Sequence, residues 1–205
     1  MKPKRISILL TAFCLLLVGC KFNGVKKEYF ENGKLEKETP YKNGMANGVE
    51  KMYTQSGKLS AETSYTDGKH NGMSIFYWDN GKIMDEIPFV NGKGSGIEKE
   101  FYESGVLKAE IPYANDVKNG IEKWYYEDGK LESETSISNG KRIGIGKNYF
   151  QCGKIQEEIP FTNDYANGEA KQYYESGKIK SITQYSKGEI IGEVKKYNEN
   201  GTEIK

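Results

Sequence analysis

His70 and three cysteines are the residues of this chain that could assemble a metal site or a nucleophilic dyad. His70 is the single histidine and lies in the stretch "DGKHNG". A typical zinc site needs four Cys or His ligands, and a Cys–His dyad needs a cysteine beside the imidazole. Cys14 and Cys20 belong to an N-terminal segment with a different role, which leaves Cys152 alone. We therefore expect no metal, no cofactor and no catalytic residue, and we interpret both His70 and Cys152 as ordinary turn residues.

A column of glutamates could be imagined as paired catalytic carboxylates. Such pairs need a separation of a few ångströms and two environments that tune the two pKa values apart. In the register derived below, however, each glutamate of the column faces a lysine. We interpret the column as a solvated ladder of ion pairs, and we do not expect an enzyme.

The aromatic residues are the strongest candidates for a function, because Tyr and Trp are favoured at binding hot spots. Some of them must pack the fold, but aromatic side chains that stay exposed along a sheet would form an adhesive stripe. The candidate binding residues are Tyr53, Tyr77, Trp78, Phe101, Trp124, Tyr125, Tyr149 and Tyr173.

A repeat of 24 residues sets the elements that position these side chains. Its first column is aromatic throughout and a glycine follows four residues later each time; the aromatic column is Tyr29, Tyr53, Tyr77, Phe101, Tyr125, Tyr149, Tyr173 and Tyr197. A second glycine column runs through Gly48, Gly72, Gly96, Gly120, Gly144, Gly168 and Gly192. No insertion interrupts the period, so the chain is predicted to be a repeat protein.

Each unit is predicted to be a β-hairpin. The runs on either side of the first glycine column, such as "GIEKWYYE" and "KLESETS", are short and rich in aromatic and β-branched residues, as strands are. Asn-Gly and Asp-Gly steps in this column favour a two-residue turn in which both residues have positive φ. A turn centred on Ser56-Gly57 would place Lys51 opposite Glu62, Gln55 opposite Lys58 and position 54 opposite position 59.

The same register predicts aromatic–aliphatic pairs on one sheet face and charges with the tyrosine column on the other face, because strand residues alternate sides. Pro40, Pro88, Pro112 and Pro160 fall where the ladder would need a backbone donor. We therefore expect the pairing to end or bulge at these prolines. Stacked hairpins of this kind would form a body about 70 Å long.

The first residues differ from the rest of the chain. Lys2, Lys4 and Arg5 precede an apolar run over residues 6–18, which is shorter than the about 20 residues of a bilayer-spanning helix. A basic start and a short apolar run are typical of a secretory signal peptide. The end of the segment, Leu17-Val18-Gly19-Cys20, resembles the lipobox of bacterial lipoproteins. That resemblance implies cleavage before Cys20 and lipidation of Cys20, so that the protein is anchored to a membrane of the cell envelope.

Charge argues against nucleic acid as a partner. Removal of residues 1–19 would take away three of the 30 basic residues and none of the 29 acidic ones. The two signs are interspersed along the remaining chain, whereas a nucleic-acid-binding protein shows a basic patch or stripe.

The unit as a whole, Tyr-x-x-x-Gly-Lys-Leu followed by an aromatic and Gly-x-x-x-Gly, resembles the MORN variant repeat over about residues 28–202. The resemblance implies an all-β, elongated solenoid of stacked 24-residue hairpins. With the N-terminal features it gives a signal-peptide helix in residues 1–19, a tether in 20–27 and seven to eight units in 28–205. It also places the chain near the bacterial YwqK-like proteins.

Three functions are compatible with these features. The preferred one is a lipid-anchored, non-enzymatic protein-binding scaffold of the bacterial envelope, whose partner is an envelope or host protein. The second, which the YwqK-like resemblance implies, is an antitoxin or immunity-type protein that neutralises a cognate toxin. The third is direct binding of membrane lipid or glycan.

Overall fold

A computed structural model describes residues 21–204 of the 205-residue chain. The predicted signal-peptide helix and Cys20 lie outside these residues. Within them, 21 strands form one antiparallel sheet. The strands are β1 Gly24–Tyr29, β2 Leu35–Lys42, β3 Met45–Ala46, β4 Gly48–Tyr53, β5 Leu59–Thr66, β6 Lys69–Tyr77, β7 Ile83–Val90, β8 Lys93–Gly94, β9 Gly96–Phe101, β10 Leu107–Ala114, β11 Val117–Lys118, β12 Gly120–Tyr125, β13 Leu131–Ser138, β14 Lys141–Tyr149, β15 Ile155–Thr162, β16 Tyr165–Ala166, β17 Gly168–Tyr173, β18 Ile179–Ser186, β19 Glu189–Ile190, β20 Lys195–Tyr197 and β21 Glu203–Ile204.

The strands follow one another through the sheet in chain order. Strand β5 pairs with β4 on one side and with β6 on the other, and the other long strands repeat this arrangement. The hairpins are therefore joined into a continuous meander, which confirms the predicted all-β repeat fold. Strand β1 begins at Gly24, within the segment predicted to be a tether.

The predicted register holds along most of each hairpin and fails near its turn. Lys51 pairs with Glu62 as predicted, but Tyr53 pairs with Leu59, because a bulge shifts the register after Met52. The amide of Thr54 donates to the carbonyl of Lys58 over 2.8 Å, and the amide of Gly57 donates to the carbonyl of Thr54 over 2.9 Å. The turn thus has a three-residue loop in which Gly57 (φ +93°) is left-handed. The predicted pairing of position 54 with 59, and of Gln55 with Lys58, was wrong.

The two-residue turns lie at the other end of the strands from the three-residue loops. Asp67 and Gly68 both have positive φ, of +48° and +79°, and they connect Thr66 with its partner Lys69. Both central residues have positive φ in the equivalent turns as well: Asn43–Gly44, Asn91–Gly92, Asn115–Asp116, Asn139–Gly140, Asn163–Asp164 and Lys187–Gly188. Asn-Gly and Asp-Gly steps therefore do mark such turns here, but in the link between the units rather than in the first glycine column.

The predicted interruption at the prolines is confirmed on one side of their strands. Pro40 pairs with Val25 of β1, but on the other side β3 and β4 are separated at Asn47, whose amide donates to the Pro40 carbonyl over 2.9 Å. A Cβ on Gly48 would lie 2.9 Å from Cγ of Pro40. A proline ring of the preceding strand occupies the corresponding space at Gly96, Gly120 and Gly168 as well, so these four positions of the second column need glycine.

The core lies on one side of the sheet and is thin. Its buried residues are small or medium in size: Thr39, Ala61, Ser74, Ala109, Ile111, Ile137, Ala170 and Ser181. Along their strands they alternate with the residues that form lysine–glutamate pairs such as Lys51–Glu62. The buried residues therefore share one face of the sheet, and the charged pairs lie on the other. We call this face the packed face, and the other face, which carries the lysine–glutamate pairs, the stripe face.

Candidate binding face

The stripe face carries a line of apolar side chains that crosses the sheet from β1 to β15. Its larger members are one per unit, and each is exposed by 37–55 %: Val25, Val49, Met73, Ile97, Ile121 and Ile145. Each of them pairs with a proline or serine on the following long strand, namely Pro40, Ser64, Pro88, Pro112, Ser136 and Pro160. We call these twelve residues the apolar stripe. Ser64 and Ser136 are its two polar members. Exposed apolar side chains gathered on one face mark interaction sites in soluble proteins.

The apolar stripe was not predicted from the sequence. Its signal is nevertheless present: the residue directly after Gly24, and then after each of the first five glycines of the second column, is Val, Val, Met, Ile, Ile and Ile. The next two units have Glu169 and Glu193 at this position, so the stripe ends at β15.

A row of alternating charges runs beside the stripe on the same face. Register places lysine and glutamate in turn on successive strands: Lys27, Glu38, Lys51, Glu62, Ile75, Glu86, Lys99, Glu110, Lys123, Glu134, Lys147, Glu158 and Lys171. Ile75 interrupts this charge row between Glu62 and Glu86, and Ile182, the partner of Lys171 on β18, interrupts it again. Ion-pair distances are 3.7 Å for Lys27–Glu38, 3.6 Å for Lys51–Glu62 and 3.9 Å for Lys147–Glu134, so the pairs are loose. Half-exposed pairs of this kind contribute little to stability.

The predicted tyrosine column lies on the other side of the charge row. Tyr53, Tyr77, Phe101, Tyr125, Tyr149 and Tyr173 are all half-buried. The five tyrosine hydroxyls each donate to the glutamate fifteen residues earlier, over 2.7–2.9 Å; the pairs are Tyr53–Glu38, Tyr77–Glu62, Tyr125–Glu110, Tyr149–Glu134 and Tyr173–Glu158. The column is therefore part of the scaffold, and it fixes the carboxylates of the charge row.

The surroundings of these hydroxyls disfavour the tyrosinate. Burial, followed by the hydrogen bond to the neighbouring carboxylate, raises the pKa of Tyr77 and Tyr149 to about 12. The same causes raise the pKa of Tyr125 to about 12. For Tyr173 burial again comes first, and its pKa is also raised to about 12.

The two tryptophans do not join the tyrosine column. Trp124 lies on the packed face opposite Ala109, and its Nε1 donates to Glu122 over 3.1 Å. Trp78 lies directly before the three-residue loop that follows β6, and its Nε1 donates to the carbonyl of Phe101 over 3.3 Å. The eight candidates thus do not form one surface: six share the stripe face, and the tryptophans lie elsewhere.

His70 and Cys152, the residues considered for metal binding or nucleophilic chemistry, lie in different environments. The prediction of His70 as an exposed turn residue was wrong, because His70 lies in β6 and is half-buried. Its ring stands edge-on to Tyr65 and Phe89, and its Nε2 lies 2.8 Å from the Tyr65 hydroxyl. Cys152 is exposed and free in a three-residue loop. Across residues 21–204 no three His, Cys, Asp or Glu side chains come close enough to hold a metal ion.

Residues 21–204 contain no helix that is long and apolar enough to cross a bilayer.

Comparison with solved structures gives a weak likeness. A porin-like protein from Bacteroides uniformis ATCC 8492 shares 9 % identity, covering 83 % of this chain and 87 % of that protein, at a TM-score of 0.23. At that score it carries no argument about this chain. No curated protein matches the sequence significantly.

A family comparison agrees with the repeat seen in the sheet. The family described as MORN repeat variant matches six stretches: residues 22–43, 46–67, 71–91, 95–115, 118–139 and 166–187. Each stretch contains one three-residue loop and ends at or next to a two-residue turn, so the family unit and the structural unit coincide. The matched residues make up more than half of the chain, which therefore belongs to the MORN repeat variant family.

Proposed function

We propose that the protein is a non-enzymatic binding protein that is anchored to the bacterial envelope by lipid on Cys20 and holds a protein partner against its stripe face. The observation that carries the proposal is the apolar stripe, whose six larger side chains remain 37–55 % exposed in a regular line. Repeat proteins use such extended faces for binding, because weak contacts from successive units add together.

The polar groups around the stripe support binding rather than catalysis. The carboxylates of Glu38, Glu62 and Glu134 each meet one lysine and one tyrosine, and those of Glu110 and Glu158 each accept a hydrogen bond from a tyrosine. General acid–base catalysis relies instead on two groups whose environments hold their pKa values apart. The regularity of the row fits a docking surface.

Site-specific photo-crosslinking tests the proposed face. A photoreactive amino acid replaces Ile121 in the stripe of the membrane-located full chain, or Ile190, which is equally exposed but lies beyond the stripe. We expect a protein adduct from position 121 and none from position 190, and we expect Ile97→Lys to remove the adduct. Absence of any protein adduct at position 121 would overturn the proposed binding face.

The identity of the adduct separates the alternatives. A toxin encoded beside this chain would support the antitoxin function, whereas an adduct with lipid or glycan alone would support the third function. Either result would replace the scaffold proposal.

Lipid anchoring is tested separately. The basic start, the apolar run over residues 6–18 and the sequence Leu17-Val18-Gly19-Cys20 support it. We expect Cys20→Ser to move the protein from the membrane fraction to the soluble fraction, and Cys152→Ser to leave it in place. Retention of the Cys20→Ser variant in membranes would refute the anchor.

A further inference from the structure

We propose that the partner on the stripe face is a second copy of this chain, packed face to face in a two-fold dimer. The inference rests on the proposed function, because it names the occupant of that same face. Its starting point is periodicity: side chains on the stripe repeat with every unit, so a partner that fills the spaces between them needs the same period. A second copy has that period in full.

The two kinds of position on the stripe alternate in size. The larger residues lie on the first strand of each hairpin, and Pro or Ser lies on the second strand. A two-fold axis parallel to the strands, between Pro88 of β7 and Ile97 of β9, reverses the order of the strands in the partner. Every larger residue then meets Pro or Ser of the other copy. The symmetric contacts are Val25–Pro160, Pro40–Ile145, Val49–Ser136, Ser64–Ile121, Met73–Pro112 and Pro88–Ile97.

The same operation makes the charge rows complementary. Because lysine and glutamate alternate from strand to strand, reversal about this axis places each lysine opposite a glutamate of the partner. Lys123 faces Glu62 and Lys51 faces Glu134, while Ile75 faces Glu110 and is the one mismatch. Rotation about the stripe itself would instead carry the two charge rows to opposite sides, where they could not meet. Electrostatic complementarity therefore selects one of the two face-to-face arrangements.

The surface is also of suitable size. Twelve neighbouring strands at about 4.8 Å spacing give a length of about 53 Å, and three side-chain rows along the strands are about 14 Å wide. The footprint of about 700 Å² approaches the about 800 Å² per partner of a standard interface. Glu169 and Glu193 occupy the stripe position in the last two units, so charge limits the overlap to β1–β15.

Cysteine crosslinking in intact membranes tests the arrangement. Glu62→Cys and Lys123→Cys are introduced together with Cys152→Ser, and a short bismaleimide linker is added, because packed sheets lie about 10 Å apart. Within one copy the two positions are about five strands, or about 24 Å, apart. We expect a dimer-sized adduct from this pair, and none above background from either single cysteine. Lys171→Cys paired with Glu62→Cys is the matched control, since Lys171 belongs to the same row but lies outside the overlap.

Charge reversal gives a second, independent measurement, made in the Cys152→Ser background by crosslinking through one cysteine pair, Val49→Cys and Ser136→Cys. Within one copy these two positions are about seven strands, or about 34 Å, apart, so the linker can join them only between copies. We expect Lys123→Glu and Glu62→Lys each to lower the yield of dimer at least about fivefold, corresponding to about 1 kcal/mol. The double variant should restore it, and Lys171→Glu should leave it unchanged. Loss of the Tyr77–Glu62 hydrogen bond is common to Glu62→Lys and the double variant, so rescue cannot come from that bond.

The outcomes separate this inference from the proposed function. No dimer adduct from positions 62 and 123, an equal adduct from the Lys171 control, or failure of the double variant to restore crosslinking would each overturn the two-fold dimer. If Ile121 still crosslinks to a different protein, the proposed function stands without the dimer. If position 121 finds no protein at all, both fail.

Discussion

The hydroxyl of Tyr149 donates a 2.7 Å hydrogen bond to Oε1 of Glu134, fifteen residues earlier in the chain and on a neighbouring strand. Lys147 approaches the same carboxylate at 3.9 Å, so that one glutamate joins two strands through three side chains. The same tyrosine–glutamate contact recurs in four other units. It ties the tyrosine column to the charge row and provides the first tests of the structure.

Tyr149→Phe should lower the free energy of unfolding by about 1–2 kcal/mol, because it removes a hydrogen bond to a charged, half-buried acceptor. Chemical denaturation followed by circular dichroism measures the change. Tyr29→Phe is the control, since Tyr29 is 57 % exposed and lies on the first strand. Equal losses in the two variants would contradict the assigned role of the Glu134 contact.

Phe101→Tyr should stabilise the protein by about 0.5–1 kcal/mol. Position 101 belongs to the tyrosine column, and the spacing of fifteen residues that relates each tyrosine to its acceptor leads to Glu86. A new hydroxyl there completes the pattern. The measurement is again the unfolding midpoint, and the gain should vanish when Glu86→Ala removes the acceptor; a gain that survives Glu86→Ala would mean that the hydroxyl acts elsewhere.

Alkaline pH should destabilise the sheet through the same tyrosines. The pKa of Tyr77 and of Tyr149 is raised from 10.0 to about 12 on folding. Because the folded value is the higher one, this stabilisation is complete below pH 10 and is lost as the pH rises from 10 towards 12. Tyrosinate absorbance should therefore appear at higher pH in the folded chain than in the chain unfolded by denaturant. If the folded and unfolded chains gave the same titration curve, the tyrosine hydroxyls would not be hydrogen-bonded to the glutamates.

Gly120→Ala should destabilise the protein by about 1–3 kcal/mol, because φ is +135° and the new Cβ would lie 2.8 Å from Cγ of Pro112. Gly144→Ala is the matched control in the same column: φ is +69° there, and no heavy atom lies within 4 Å of the added Cβ. We expect its cost to be about 1 kcal/mol. Thermal and chemical unfolding of both variants measure the difference, and equal costs would remove the steric role of Pro112.

Lys187→Asn should stabilise the last two-residue turn by about 0.5–1 kcal/mol. Lys187 has a φ of +49°, whereas most equivalent positions carry Asn, which adopts this conformation more readily. The reverse change, Asn139→Lys, should cost a similar amount. Hydrogen exchange of the Gly188 amide, which donates to the carbonyl of Ala166, reports on this turn locally. Unchanged exchange in Lys187→Asn would show that backbone strain is not limiting there.

The period of the sequence was sufficient to predict the strands and most of their partners. Lys51 opposite Glu62 followed from charge and spacing, and the structure confirms it. The turn could not be settled in the same way, because Ser56-Gly57 fits either a two-residue or a three-residue loop. The choice depends on whether Tyr53 or Thr54 pairs with Leu59, and the bulge that decides it arises from hydrogen bonds across the turn.

The binding face was harder to predict from the sequence than the strands were. Val49 and Ile97 look like ordinary strand residues, and their exposure depends on which face packs. The fifteen-residue contact between Tyr149 and Glu134 requires the order of the hairpins, because it crosses from one unit to the next. Trp78 and Trp124 were grouped by residue type, although their different places in the unit send them to different parts of the sheet.

The meander has a mechanical consequence. Successive strands lie in chain order, so the hydrogen bonds between them run along the line that joins the two ends of the sheet. Tension between the ends would be borne by all the strand pairs in series. The weakest pair would open first and the others would follow in succession, whereas strands loaded along their length resist together in shear. Such a body would lengthen by small steps at a nearly steady force and would act as a compliant spring between whatever it joins.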